Sequence, residues 1–264
     1  MDRRGTLVGI GLGLITGVTS GLFGIGGGAV LVPLLVLVLR MPQHRAHATS
    51  LAAIILTAAA GMIRFAGGSS VDFGAGAAIA AGAVLGAYAG AAIMHRLSAQ
   101  RLRQAFAVLL AVVSIQLLVG GEVTQGTIVL SGAAMVSGYV VLGLVAGVLS
   151  ALMGVGGGVI MVPAMVLLFG FTQQLAEGTS LLIVIPTAVV GAVRHARNGY
   201  TDWAAGFTLG IGGIVGALVG ASVALTLDAT LLQRFFGAFL LLTALHLLWS
   251  ARPRRYDPAT PTAT

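Results

Sequence analysis

Shifted by 130 positions, the sequence aligns with itself without a gap, from Gly13 over Gly143 to Leu118 over Leu248. Between residues 20–51 and 150–181, fifteen of thirty-two positions are identical, where composition alone gives roughly one in ten. The shared positions include Ser20/Ser150, Gly24/Gly154, Gly26 to Gly28 over Gly156 to Gly158, Pro33/Pro163, Gln43/Gln173, Thr49/Thr179, Ser50/Ser180, Thr57/Thr187, Arg64/Arg194 and Asp72/Asp202. The chain is a tandem duplication, and whatever it folds into is built from two copies of one unit.

Each copy is apolar. Hydrophobic residues make up 58% of the 264, charged residues 8%, and mean hydropathy is +1.04; soluble domains carry about a quarter charged. A helix of about 20 apolar residues crosses a bilayer. Apolar runs occupy residues 5–39, 46–63, 75–94, 104–120, 127–169, 178–193, 204–227 and 235–250. Two runs are too long for one helix, and each contains a glycine triplet, Gly26–Gly28 or Gly156–Gly158. Glycine is a poor helix interior, so each long run reads as two segments joined at a break. This gives ten segments, either ten crossings or eight crossings plus two re-entrant hairpins.

Loop arginines set the orientation. All fourteen basic residues are arginine. Arg3, Arg4, Arg40, Arg45, Arg96, Arg101, Arg103, Arg194, Arg197, Arg252, Arg254 and Arg255 fall on one side of the threaded chain, and only Arg64 and Arg234 on the other, together with Glu122, Glu177 and Asp228. The net charge of +7 therefore marks topology and not a nucleic-acid surface, and both termini are expected in the cytoplasm. Five segments per copy is odd, so the second copy runs inverted. The expected fold is all-α and polytopic: a first membrane repeat over 1–126, an inverted second over 127–251, and a disordered cytoplasmic tail over 252–264 that is rich in Pro and Thr. The apolar start could pass for a signal peptide, but its recurrence near 136–150 identifies it as a retained helix.

Inverted repeats with glycine-interrupted segments at corresponding positions are a transporter architecture, because related halves can exchange inward-open and outward-open states. Phe23-Gly24-Ile25-Gly26-Gly27-Gly28 then Pro33, repeated as Met153-Gly154-Val155-Gly156-Gly157-Gly158 then Pro163, with Ala48-Thr49-Ser50-Leu51 and Gly178-Thr179-Ser180-Leu181 downstream, resembles the TauE/SafE family of sulfite-exporter-like membrane proteins. The resemblance covers about residues 5–250. It implies a bacterial inner-membrane permease for small anions, with sulfite, sulfonates and related sulfur or carboxylate compounds as substrates.

An anion inside a membrane needs donors without stranded charges, and broken helices offer unpaired N–H groups at the positive end of the helix dipole. Gly26, Gly27, Gly28, Gly156, Gly157 and Gly158 are thus candidate substrate ligands, unless they serve only close helix packing. Thr49, Ser50, Thr179 and Ser180 add hydroxyls at the start of the next segment, where N-capping is the competing account. Thr57 and Thr187 lie deeper, where a hydroxyl can bond back to its own helix. Arg64 and Arg194 are candidate pathway mouths or interface anchors. Gln43 and Gln173 are expected in solvated loops, and so are His47 and its repeat partner Glu177, which leaves ion coupling open.

No cofactor, metal or nucleic acid is expected. Cysteine is absent, lysine is absent and with it a Walker A loop, and His95, His195 and His246 have no ligand partner at helical spacing. Tyr200, Trp203, Trp249 and Tyr256 read as interfacial anchors. The expected partners are a small anion and the lipid bilayer. The stripes Gly82/Gly212, Gly86/Gly216 and Gly90/Gly220 pack helices within one chain or between the chains of a homo-oligomer. Two other readings are an intramembrane serine hydrolase, which lacks a Gly-x-Ser-x-Gly elbow, and a non-transporting membrane subunit. Neither needs a duplication, and no catalytic residue is assigned.

Overall fold

The computed structural model describes residues 3–93, 99–120, 131–153 and 157–250. They form ten helices: α1 (Arg3–Phe23), α2 (Gly28–Leu37), α3 (Gln43–Gly67), α4 (Phe73–Ile93), α5 (Ala99–Val119), α6 (Ala133–Met153), α7 (Gly158–Phe169), α8 (Gln173–Arg197), α9 (Trp203–Thr226) and α10 (Ala229–Ser250). Every helix of the second five starts 130 residues after its counterpart. The equivalence extends to backbone dihedrals. Arg40 (φ 51°) and Ser69 (φ 55°) are the two non-glycine residues with positive φ among the described residues, and their counterparts are Gly170 (φ 70°) and Gly199 (φ 70°). The expected repeat junction at 126/127, the tail over 252–264, Gly154, Gly156 and Tyr256 lie outside the described residues.

Among the described residues six helices are each long and apolar enough to cross a membrane: α1, α3, α6, α8, α9 and α10. Their outward faces carry Leu, Val, Ile and Phe, among them Leu7, Val141, Phe207 and Leu242. In water such surface would drive aggregation; against lipid it is the solvated side. The chain is a multi-pass membrane protein.

Packing follows the glycine stripes. Gly13, Gly17 and Gly21 of α1 meet Leu209, Gly213 and Ala217 of α9 in ascending order, so the two helices run parallel with their backbones in contact. The equivalent pair in the other half is α4 and α6, where Gly82 and Gly86 meet Val140 and Leu144, while Gly143 and Gly147 meet Ile79 and Ala83. Each repeat therefore lays its first helix against the fourth helix of the other. Small residues let backbones approach in this way where lipid offers no hydrophobic drive for association.

The third helices form the centre. Gly61 of α3 meets Leu181 of α8, and Gly191 of α8 meets Leu51 of α3, so α3 and α8 cross antiparallel about residues 56 and 186. Pro186 sits in α8 at that point and removes one helical N–H.

This geometry decides between hairpins and crossings. α3 runs parallel to α9, with Ala52 against Gly206, Leu56 against Gly210 and Thr57 against Gly213, and α9 runs parallel to α1. Hence α1 ends at one membrane face and α3 begins at the other, and residues 24–42 must traverse the full thickness between them. The 10-residue α2 spans about 15 Å, and the non-helical residues on either side reach about 3.3 Å each, enough to complete a core about 30 Å thick. The second segment is a broken crossing and not a re-entrant hairpin. α7, of 12 residues, is its counterpart.

Candidate functional site

The break after α1 is built on three left-handed glycines, Gly24, Gly26 and Gly27. Gly26 (φ 73°) and Gly27 (φ 80°) take backbone conformations that L side chains resist. They turn the chain back between α1, α3 and α8. A Cβ on Gly26 would stand 2.7 Å from Val184 Cγ1 and 3.3 Å from Ile54 Cγ2, two residues that are repeat equivalents beside the α3/α8 crossing. The other break joins it there. A Cβ on Gly158 would lie 2.7 Å from Ile25 Cα and 2.8 Å from the Gly24 carbonyl oxygen. The two glycine segments picked out by the sequence thus touch, at mid-depth, where the halves cross.

Both short helices start there without a side-chain cap: Gly27 precedes α2 and Gly157 precedes α7. The first-turn N–H groups of a helix have no intrahelical acceptor, and two such ends carry partial positive charge into the centre. Among the described residues, four side chains hold buried polar atoms without a hydrogen-bond partner: Ser20 Oγ, Gln173 Oε1, Glu177 Oε2 and Ser180 Oγ. Ser20 and Glu177 stand beside the break after α1. A Cβ on Gly27 would stand 3.8 Å from Ser20 Oγ, and one on Gly24 would stand 2.5 Å from Glu177 Cα. Native interiors satisfy nearly all buried polar groups, so unpartnered ones beside two uncapped helix starts make this the candidate site.

The hydroxyls singled out from sequence divide. Ser180 is completely buried and unpartnered. Thr49 and Thr179 are not N-caps, because α3 and α8 begin six residues before them. Instead they bridge the repeats: Asp202 N–H donates to Thr49 Oγ1 at 3.2 Å, and Asp72 N–H donates to Thr179 Oγ1 at 2.9 Å. Asp72 and Asp202 each also accept from the amide three residues on, Ala75 and Ala205, at the starts of α4 and α9. Ser50 Oγ donates to the His47 carbonyl, Thr57 Oγ1 to Ala53, and Thr187 Oγ1 to Ile183 and Val184. As donors these three are committed to their own helices. Arg64, in the last turn of α3, donates from Nε to Ser222 Oγ at 2.8 Å, and Arg194 is exposed with its guanidinium over the Tyr88 ring. They sit at opposite ends of the α3/α8 pair.

Two expectations are corrected. Gln173 and Glu177 do not occupy a solvated loop. They are the first and fifth residues of α8, 2% and 0% exposed, because the helix starts earlier than its apolar run and is capped by Thr172, whose hydroxyl accepts from Leu175 N–H. That cap was the available signal. Gln43 and His47 are likewise helical, with Gln43 exposed and His47 half-buried in edge-to-face contact with His195. No three His, Cys, Asp or Glu cluster among the described residues.

Sequence comparison supplies the relationship. The family described as sulfite exporter TauE/SafE matches residues 1–117 and 139–264. The chain belongs to the TauE/SafE family. It is 30% identical over 256 residues to a probable membrane transporter protein of Xylella fastidiosa, covering 94% of this chain and 97% of that one. It is 34% identical over 127 residues to the probable membrane transporter protein YunE of Bacillus subtilis, 46% of each chain, and 26% identical over 214 residues to YdhB of the same organism, 78% of this chain and 85% of that one. No solved structure matches the chain. A TauE/SafE membrane transporter whose inverted halves meet at two broken helices has the architecture associated with alternating access.

Proposed function

We propose that this protein is a secondary carrier for a small oxyanion, sulfite or an organosulfonate, across the inner membrane, with both termini in the cytoplasm. The observation that carries the reading is the meeting of two uncapped helix starts at the α3/α8 crossing beside the unpartnered Ser20 hydroxyl. A tetrahedral or pyramidal oxyanion presents acceptors only. Backbone N–H groups at Gly27 to Ala29 and at Gly158 and Val159 present donors, the Ser20 hydroxyl can donate beside them, and the dipole ends supply positive potential without a stranded cation. The family description and the named function of its relatives as probable transporters agree with a carrier.

The test is uptake of labelled sulfite, sulfoacetate, taurine and sulfate into proteoliposomes by wild type, Ser20→Ala and Gly27→Leu. Saturable uptake of one sulfur oxyanion, weakened roughly tenfold by Ser20→Ala, an amount matching about 1.4 kcal/mol for one hydrogen bond to a charged group, and abolished by Gly27→Leu, supports the reading. Uptake indifferent to both substitutions would remove the site. Protease protection of a C-terminal tag in sided vesicles checks the orientation.

A further inference from the structure

Glu177 and Gln173 hold two of the four unpartnered oxygens, and they form a pair. Gln173 Nε2 donates to Glu177 Oε1 at 2.8 Å, across one turn of α8, while Glu177 Oε2 and Gln173 Oε1 have no partner. Both residues are buried, Glu177 completely. Ionised, the carboxylate would leave both of these oxygens as bare acceptors, with one negative charge taken out of water. A buried charge without a partner is costly, and neutralisation is the usual outcome. A carboxylic acid and a primary amide are complementary, each offering a donor beside an acceptor. A proton on Glu177 Oε2, directed to Gln173 Oε1, satisfies both oxygens in one step.

No cation is in place to hold the charge. Among the described residues, what acts on Glu177 is its burial and Gln173. The break after α1 meets it at Gly24, and α7 carries no titratable side chain. The end of α3 touches Gly178 through Phe65 and Ser70, and its Arg64 is turned to Ser222 of α9. Asp72, ahead of α4, accepts from the Ala75 amide, and Asp228, ahead of α10, accepts from the Thr230 and Leu231 amides; Arg234 of α10 is exposed. A glutamate inside a membrane protein marks an ion path or a proton relay. We infer that Glu177 is the proton site of this carrier, a neutral acid closed onto Gln173 in this structure. Its O–H bond breaks when the Asp72–Thr179 contact, two residues along α8, opens to that face. The electron pair stays on the carboxylate and the proton passes to water; the reverse step reloads it.

The first repeat has no such pair. Its Gln43 is exposed, and His47 stands in place of the acid, half-buried against His195 at the other face. The duplication is thus broken at the buried acid, and a single acid–amide pair accompanies two repeat-related glycine breaks. The bound proton stands apart from the carrier reading. Only its coupling to anion movement rests on that reading.

Glu122 and Glu177 are the two glutamates of the chain, so an isotope label on glutamate carboxyls can be reduced to one group. The first test is infrared spectroscopy of the full chain in detergent at neutral pH, with carbon-13 at the glutamate side-chain carboxyls, in the Glu122→Gln background. The expected result is an isotope-shifted acid carbonyl band, absent when Glu177→Gln is added and moved to higher frequency by Gln173→Leu, which removes the amide. Carboxylate bands alone, or an acid band that Gln173→Leu leaves in place, overturn the site. The second test is uptake of sulfate and methanesulfonate, which carry no proton of their own at neutral pH, into proteoliposomes with and without a pH gradient. The gradient should accelerate uptake several-fold in wild type and His47→Gln and have no effect in Glu177→Gln, which keeps anion exchange. A gradient response retained by Glu177→Gln or lost in His47→Gln overturns the coupling. Should Glu177→Gln fail to fold, the band in Glu122→Gln and its shift with Gln173→Leu carry the test. Anion uptake indifferent to the gradient in wild type ends the coupling and keeps the carrier, and an acid band without uptake of any anion does the reverse.

Discussion

At Gly24 and Gly26 the absence of a side chain is a requirement of both conformation and space. Gly24 (φ 67°) stands against the Glu177 backbone, and Gly26 (φ 73°) against Val184 and Ile54. Replacing either with valine combines left-handed strain of about 1–2 kcal/mol with overlap at the centre of the molecule, and transport in proteoliposomes should fall at least tenfold. Gly67 has nothing within 4 Å of a Cβ position, so Gly67→Ala should transport within about twofold of wild type and controls for substitution as such. Equal losses at Gly24 and Gly67 would mean that the break has no special role. The glycines were legible in the sequence because they occur twice in register. Glu177 and Gln173 were misread because hydropathy marks where a helix becomes apolar and not where it starts. The first turn of α8 is polar, and only the Thr172 cap announces it.

Among elements, the parallel pairs α1/α9 and α4/α6 set the frame within which the breaks lie. Gly216 of α9 faces the Leu14 carbonyl and the Val18 amide of α1, and its equivalent Gly86 faces Leu144 of α6. A leucine at 216 would overlap α1 backbone, which unlike a side chain cannot swing away, and overpacking of this kind is worth about 3 kcal/mol. Gly216→Leu should lower the Tm of the detergent-solubilised protein and reduce its yield. It should do so without altering the oligomeric mass seen by light scattering, because the contact lies inside one chain. A change of mass at unchanged Tm would place the stripe between chains instead. The small-xxx-small spacing could be read from sequence, but its partner could not. Spacing says that a backbone will come close, and only the third dimension says which one.

For the whole molecule the arginine count supplies an expected sidedness and the odd segment number an expected inversion, yet the count does not tell a hairpin from a broken crossing, since a hairpin returns the chain to the side it left. The parallel course of α1, α3 and α9 decides it. The inverted relation also makes matched contacts at opposite faces. Thr49 accepts from Asp202 N–H at the arginine-rich end, and Thr179 accepts from Asp72 N–H at the other, so each repeat clasps the loop that follows the third helix of its partner. Both clasps are closed in this structure. Opening toward one face should require releasing one clasp while keeping the other. Valine keeps the shape of threonine but removes the acceptor, and leaving an amide unpaired costs about 1–3 kcal/mol, enough to shift a two-state equilibrium roughly tenfold. The absence of native cysteine makes a single reporter clean. With Ile54→Cys at the centre, Thr49→Val should raise labelling by an impermeant maleimide from the arginine-rich face, and Thr179→Val should raise it from the opposite face. Both substitutions raising labelling from the same face would contradict the mirrored gates.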